Sequence, residues 1–490
     1  MFKFLQKIFK SNLTQGQATT GASGAAEMAQ AVAAFILIDP VACAALKERG
    51  NAFLAEGQLE SAAACYKQAS EVNPQDVFSW INLGFVLCEQ GQVVQAQAVL
   101  HEALRLDPDQ YDAHFMLGNV AQGMGNMPLA TTHFREVLRL QPDFDFTAFF
   151  ADETQYQQAV ERYQFILSID PENASVHMSL GMTSLLLGDS ATGWCEYQWR
   201  FRAPGSGFRS HKTFPQPLWL GAESLQGKTI LLHCEQGYGD TIQFCRYAPE
   251  VAARGALVIL QVQRGLQELL KSLPGVSHLL EEGETIPDFD LHCPLMSLPL
   301  ALGHHRKGIT PLKEAYLQAD VEGVQHWRRR LVAMGSPRIG VVWSGNPRHG
   351  RDLHRSMTLA AFSEMLPARM NVVCLQPEVR EADIPATHAD TRIKLLGSEL
   401  KTFADTAALI MALDLVISVD TSVAHLAGAL GKPVWVLVSH VPDWRWQLDR
   451  EDTPWYPGAK IFRQSSIEDW SRPVEDVRGA LLQRYPTAAK

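Results

Sequence analysis

The stretch DLVISVDTSVAHLAGALGKPVWVLV, residues 414–438, decides the fold. Asp414–Val419 is an aliphatic run without polar alternation, the pattern of a strand buried on both faces. Asp420–Leu430 opens with small polar residues, of which Asp420 or Thr421 suits a helix N-cap, and continues apolar until Gly431 stops it. Pro433–Val438 is a second buried strand. Strand, helix and strand in this order predict a βαβ unit, and such a unit needs a parallel sheet.

The same alternation extends on both sides. Upstream in the same lobe come a strand at Arg338–Trp343, a helix at Leu359–Leu366, a strand at Asn371–Gln376 and a helix at Phe403–Leu413. Further upstream, a strand at Lys228–Cys234 leads through the turn Glu235–Asp240 into a helix at Thr241–Gly255. A strand at Ala256–Gln263 and a helix at Gly265–Leu273 follow. These segments predict two α/β lobes, over about 210–325 and 335–490. Ligands of open parallel sheets bind beyond the carboxyl ends of the strands, so two facing lobes would line a cleft from both sides.

Four polar segments sit at such strand ends. After Val419, the free N–H groups and dipole of a helix start would attract a phosphate. Thr421, Ser422 and Ala424 are small enough to let it approach, and His425 lies one turn further in. The alternative is a capped helix with a buried histidine. After Cys234, Gly237–Asp240 (GYGD) brings a carboxylate to the cleft edge beside the flexible backbone of Gly237 and Gly239. Asp240 is either a cleft-edge carboxylate beside a backbone that an acceptor or phosphate can approach, or the N-cap of the helix from Thr241, and both roles can coexist. After Trp343, the loop SGNPRHGRDLHR (344–355) gathers Ser344, Asn346, Arg348, His349, Arg351 and Arg355, suited to a diphosphate or to a solvated loop. After Val438, PDWRW (442–446, with Trp444 and Arg445) and PWYP (454–457) supply aromatics that either stack on a base or sugar or plug a lobe interface.

The first part of the chain has a different period. Gly50, Gly84 and Gly118 are spaced by 34 residues, as are Ala62, Ala96 and Ala130, and Pro74, Pro108 and Pro142. The Gly marks the close approach of two helices, the Ala a tight crossing, and the Pro the end of each unit. Pro171 and Ala159 follow their predecessors by only 29, which implies a shortened fourth unit, and Gly181 resumes the pattern in an atypical fifth. With Trp80, Leu83, Gly84, Ala96, Ala103 and Pro108, the array resembles the tetratricopeptide repeat (TPR) family. The segment WCEYQWRFR (194–202) reads as the junction to the α/β lobes.

Composition narrows the function. The net charge of -10 over 490 residues argues against nucleic acid as a partner. The eight cysteines form no CxxC pair, which points to free thiols in a reducing cytoplasm and not to a zinc site. No apolar run reaches the ~20 residues of a membrane span. Residues 1–10 (MFKFLQKIFK) read as a frayed terminus or as a short amphipathic helix in weak peripheral contact with an anionic inner membrane, and residues 11–30 as a flexible linker.

The stretch DTSVAHLAGALGKPVW (420–435) resembles the signature of the family 9 glycosyltransferases, the ADP-heptose:lipopolysaccharide heptosyltransferases. The resemblance implies that Asp420, Thr421 and His425 meet a nucleotide-sugar donor and that Asp240 is the catalytic base. It also implies catalysis without a metal or cofactor, with basic residues on the diphosphate. Gln376-Pro377-Glu378 departs from the Gln followed by Lys-Gly usual in the family. The expected fold class is α plus α/β: a TPR α-solenoid followed by a GT-B-type pair of Rossmann-like lobes. The expected domains are a flexible segment at 1–30, a solenoid at 31–202, an acceptor-side lobe at 203–330 and a donor-side lobe at 331–490.

The expected catalytic residues are Asp240 and His425. Donor residues are Asp420, Thr421, Ser422, Ser344, Asn346, Arg348 and Arg355, with Gly237, Gly239, Trp444 and Arg445 as acceptor-side or loop candidates. The expected function is inverting transfer of a sugar to a protein or glycan acceptor presented in the TPR groove. A non-catalytic scaffold and a lipopolysaccharide-core enzyme are the competing readings.

Overall fold

The computed structural model describes residues 39–141, 156–204, 214–309, 314–348, 350 and 352–486. Residues 1–30, His349 and Arg351, on which some of the expectations fall, lie outside them.

Three helical pairs open the described chain: α1 (Pro40–Ala55) with α2 (Leu59–Val72), α3 (Val77–Glu89) with α4 (Val93–Leu106), and α5 (Tyr111–Gly123) with α6 (Met127–Leu140). The period seen in the sequence has a steric cause. A Cβ at Gly50 would come within 2.6 Å of the Tyr66 ring, one at Gly84 within 2.5 Å of Leu100, and one at Gly118 within 2.7 Å of Phe134. Each first helix therefore gives up a side chain so that the bulky residue of its partner can lie against its backbone. The turns within each pair carry a second, unforeseen set of glycines at the same spacing. Gly57, Gly91 and Gly125 have φ of 75°, 72° and 73°, a conformation costly for residues with a side chain. Ala62, Ala96, Ala103 and Ala130 are wholly buried at the crossings.

Two further helices, α7 (Tyr156–Ile169) and α8 (Ala174–Leu186), precede the short α9 (Ser190–Glu196). Residues 39–141 and 161–176 form one compact unit; residues 156–160 and those from His177 onward form a second. Gly181 keeps the repeat's close approach, now against the backbone of Tyr197 (2.6 Å from a Cβ to its N). The aromatic junction is part of the core of this second unit. Trp194 is 1% exposed and stands edge-on to Phe244 at 5.8 Å, and Arg200 is fully buried.

Within the second unit lie two parallel sheets. One holds β1 (Thr229–His233), β2 (Leu257–Val262), β3 (Val276–Glu281) and β4 (Leu291–Pro294) in the order β3-β2-β1-β4. The other holds β5 (Arg338–Val342), β6 (Asn371–Cys374), β7 (Ile393–Leu395), β8 (Leu415–Val419), β9 (Val434–Val438) and β10 (Ala459–Arg463) in the order β10-β9-β8-β5-β6-β7. The second sheet is buried on both faces, as its unalternating strands require. Ile339, Val341, Leu415, Ile417, Trp435 and Leu437 point into one core, closed by Val474, Val477 and Leu481. Val342, Val416, Val434, Val436 and Val438 point into another, continuous with that of the first sheet.

The strands β1, β2, β5, β6, β8 and β9 match the expected segments within one or two residues. Two helices differ. The one expected at Thr241–Gly255 starts earlier, at Tyr238, and breaks after Phe244 into a 3-10 turn and a short helix at Ala248–Ala253. The one expected at Gly265–Leu273 is a single turn, Gln267–Leu270, where Pro274 and Gly275 leave no room to extend. In both sheets strand order reverses beside a motif: between β1 and β4 next to GYGD, and between β5 and β8 next to SGNP and DTSVAH. Such switch points open the crevice in which ligands of parallel sheets sit.

Gly118→Val should lower the stability of the repeat unit by about 1–3 kcal/mol, through overpacking against Phe134. Gly123→Ala, where a Cβ meets nothing within 4 Å, should cause no loss. Urea unfolding of the two variants checks the contrast.

Candidate functional site

A cleft of about 1370 Å³ lies at these two switch points. Its lining includes Gly237, Gly239 and Asp240 from the first sheet's side, and Ser344, Asn346, Arg348, Arg355, Asp420, Thr421, Ser422, His425 and Arg445 from the second's. Segments up to 205 residues apart in the chain meet there.

The helix α10 (Tyr238–Phe244) has Gly237 as its N-cap, so Asp240 is its third residue and not its cap. Its carboxylate turns back to accept the Gly237 N–H at 2.7 Å and is ion-paired with Arg445 from the other side of the cleft. Burial pushes the Asp240 carboxyl above its ordinary range, and the Arg445 guanidinium pulls it back. Arg445 is 6% exposed and bonded through each of its three side-chain nitrogens. It donates to Asp443 Oδ1 at 2.8 Å and to Gln243 Oε1 at 2.7 Å, and lies over the Trp444 ring at 4.1 Å. It acts as a cross-cleft tie more than as a loop residue. Trp444 faces away from the cleft, 6% exposed and edge-on to Trp194 at 5.3 Å, so of its two sequence readings it takes the interface plug.

The turn that carries Asp240 is itself anchored. Glu235, its first residue, forms a bidentate pair with the fully buried Arg200 of the junction, 2.8 Å at each contact. Met296 N–H adds a third bond, at 3.1 Å. Removing one partner of such a pair would leave a buried charge alone, which costs about 3–5 kcal/mol.

Opposite, helix α12 (Ser422–Ala429) starts at the end of β8 with Thr421 as its N-cap, while α11 (Phe403–Met411) precedes β8. The Thr421 hydroxyl is turned to Ser418 Oγ at 3.1 Å and does not cap the helix, which leaves first-turn N–H groups facing the cleft. His425 is 5% exposed. Its Nδ1 lies 2.9 Å from the Tyr456 hydroxyl, and its Nε2 is 3.9 Å from Asp420 Oδ1, beyond hydrogen-bond length. Trp446 stacks on its face (5.4 Å, 19°). A Cβ on Gly239 would come within 2.8 Å of its Cδ2, so only glycine fits at this point of GYGD. Burial pushes the imidazole down to about 3 and raises the Asp420 carboxyl, which has Asp443 nearby.

The loop after β5 is held from both sides. Gln376 accepts the N–H groups of Trp343 and Ser344 (2.8 and 3.2 Å) and donates to Ser344 Oγ at 3.0 Å, so Ser344 is a buried strut. Asn346 Oδ1 accepts the Arg348 N–H at 3.0 Å, and the Arg348 side chain is exposed at the rim. Arg355 donates to the Asp420 carbonyl at 2.9 Å and thereby ties the two loops of the second sheet together. Arg380, absent from the sequence reading, also lines the cleft. It pairs with Asp352 and donates to the Gly345 carbonyl at 3.0 Å. Its only sequence signal was its place after Gln376-Pro377-Glu378, a strand-end loop.

The charges of the cleft thus balance locally, with rim arginines above buried carboxylates. One titration follows from the burial of His425, which faces Arg445, Arg246, Arg355, Asp443, Asp420 and Tyr456. Folding lowers its proton affinity from an ordinary 6.5 to about 3, so the stability it confers is complete above 6.5 and is lost as pH falls toward 3. Between pH 6.5 and 4.5 the wild type should lose stability faster than His425→Gln, by up to about 1.4 kcal/mol per pH unit. Parallel urea midpoints across this range would contradict it.

Sequence comparison matches residues 50–91 to the TPR repeat model, 82–143 to the tetratricopeptide repeat model, and 373–466 to the model of glycosyltransferase family 9 (heptosyltransferase). Protein FlbA of Caulobacter vibrioides is 28% identical over 336 residues, 64% of this chain and 56% of FlbA, so the chain spans about half the length of this relative. Among solved structures, a family 9 glycosyl transferase of Veillonella parvula is similar over 55% of this chain and 99% of its own, at 12% identity and a TM-score of 0.40. The Arabidopsis OM64 TPR domain is similar over 22% of this chain and 88% of its own, at 25% identity and a TM-score of 0.21. The chain carries tetratricopeptide repeats over residues 50–143 and a glycosyltransferase family 9 domain over residues 373–466.

Proposed function

We propose that the chain is an inverting glycosyltransferase that moves a sugar from a nucleotide-diphosphate sugar to a protein or glycan acceptor. The observation that carries this reading is that the Asp240 carboxylate and the uncapped start of α12 with His425 line the same cleft. The family 9 domain implies the nucleotide-sugar donor, and its match includes α12 and His425.

The nucleoside diphosphate lies at the start of α12, where N–H groups and the helix dipole favour anionic oxygens. Arg355 and Arg380 sit beside it, in reach of the charge that grows on the leaving group. The acceptor hydroxyl oxygen attacks the anomeric carbon from the opposite face and its proton passes to Asp240. The bond from that carbon to the diphosphate breaks, and the nucleoside diphosphate leaves. No metal takes part in this scheme. Burial raises the Asp240 carboxyl and so brings a base closer to working pH, while the Arg445 guanidinium opposes that shift.

Tetratricopeptide arrays are in general protein-interaction modules. The repeats of this chain recruit the acceptor or the protein that bears it, which ranks a polypeptide acceptor ahead of a lipopolysaccharide core. No helix among the described residues is long and apolar enough to cross a membrane.

Asp240→Asn should reduce sugar transfer by at least about a hundredfold, the usual share of a general base, while leaving donor affinity unchanged. Release of the nucleoside diphosphate in the presence of total cell protein and glycan measures the first, calorimetry the second. A variant with full activity would remove Asp240 from the base role. No release of nucleoside diphosphate by the wild-type chain from any donor would favour a non-catalytic scaffold.

A further inference from the structure

The PWYP segment (454–457) is left over from the scheme above, and its tyrosine has an unusual position. Tyr456 is 2% exposed and its hydroxyl meets His425 Nδ1 at 2.9 Å. Its ring lies in a notch of α12. A Cβ on Gly428 would come within 2.4 Å of Tyr456 Cγ, so the helix gives up a side chain one turn after His425 to admit it. From the far side the buried Arg246 lies over the same ring at 5.1 Å. Arg246 donates to Tyr316 Oη at 3.0 Å, and Tyr316 spends its own hydroxyl hydrogen on the Ile242 carbonyl at 2.9 Å.

We propose that Tyr456 is a positioning residue which donates its phenol hydrogen to His425 Nδ1, and so fixes His425 as the neutral tautomer whose Nε2–H points into the cleft toward an anionic oxygen of the donor diphosphate. This rests on the transferase reading for its ligand, but not for the tautomer. Of the two tautomers, the one with hydrogen on Nδ1 would aim the Nε2 lone pair at Asp420 Oδ1, 3.9 Å away, and at any phosphate beyond it. The Nε2–H tautomer presents a donor to both. Tyr456 holds its proton throughout, since burial pushes the phenol up to about 12, and burial keeps the imidazole neutral. Trp446 on the ring face and Gly239 at its Cδ2 edge oppose the ring flip that would exchange Nδ1 with Cδ2 and Nε2 with Cε1. His425 is then a fixed hydrogen-bond donor and not a general acid, since a neutral imidazole with its Nδ1 lone pair already engaged has no proton to spare at working pH. Tyr456 acts on His425 as the outer partner does on metal-bound histidines, where the partner of one ring nitrogen decides what the other offers.

The test is long-range 1H–15N correlation spectroscopy on the full chain labelled with 15N-histidine, the His425 signals being those lost in His425→Gln. The proposal expects an unprotonated Nδ1 and a protonated Nε2 in the wild type without any ligand. In Tyr456→Phe, which keeps the ring and the packing in the Gly428 notch, the pattern should shift toward a mixture of tautomers. A protonated Nδ1 in the wild type overturns the proposal, and this arm holds even if the variant does not fold. An unchanged pattern in a folded Tyr456→Phe overturns it too. With ADP and UDP as probes, the variant should bind whichever nucleotide the wild type binds roughly three- to tenfold more weakly, the worth of one neutral hydrogen bond. Equal affinity would overturn the link to the ligand. Failure of the wild type to bind either probe beside the expected tautomer would count against the transferase reading and leave the tautomer assignment standing.

Discussion

The imidazole of His425 lies in a space that leaves it no room to be anything but neutral and fixed. Three other segments of the chain close on it, the glycine of GYGD at its edge, Trp446 of PDWRW on its face and Tyr456 of PWYP at Nδ1, while Asp420 of its own segment lies beyond Nε2. Each contact imposes a demand elsewhere. Gly239 must lack a side chain, which frees the start of α10 to come against α12. Gly428 must lack one too, to receive Tyr456. The polar network behind Tyr456, through Tyr316 and Arg246, is buried and must be hydrogen-bonded, because an unpaired polar group there would cost more than the bond is worth. The apolar strands around this point supply rigidity rather than chemistry.

Electrostatics on the two sides of the cleft differ in kind. Near Asp240 a half-buried carboxylate is offset by one buried guanidinium, and the pair spans the two sheets. The buried guanidinium needs its partner, so the pair couples the position of the base to the position of the loop after β9. Near α12 the cations Arg355 and Arg380 are only partly buried and are fastened to loop carbonyls and to Asp352. They can face an incoming anion with little rearrangement, which suits a leaving-group site.

Much of this was legible in the sequence where the signal is local. A repeat of 34 residues is dictated by one glycine per helical pair, so Gly50, Gly84 and Gly118 announced it. Continuous aliphatic runs gave β1, β2, β5, β6, β8 and β9, since strands buried on both faces have no other composition. The strands β3, β4, β7 and β10 escaped, because each is short or carries polar residues and takes its place only through its neighbour. The same limit applied to the site. Asp240, Asp420 and His425 follow strands and could be placed by that alone. The roles of Arg445, Arg380, Tyr456 and Arg200 depend on partners 205, 28, 31 and 35 residues away, which no local pattern encodes. Asp240 lines the cleft, and it is not the N-cap, because the helix begins two residues before it.

The transfer proposed for this chain requires the cleft to be a donor site organised by His425. Isothermal titration calorimetry of the full chain against ADP-, UDP-, GDP- and dTDP-sugars, in chelator-treated buffer, tests this most directly. It predicts saturable binding of one donor, weakened roughly ten- to hundredfold by His425→Ala, the worth of a hydrogen bond to a charged group. A folded chain that binds none of these donors, or one whose affinity is indifferent to His425, would contradict it.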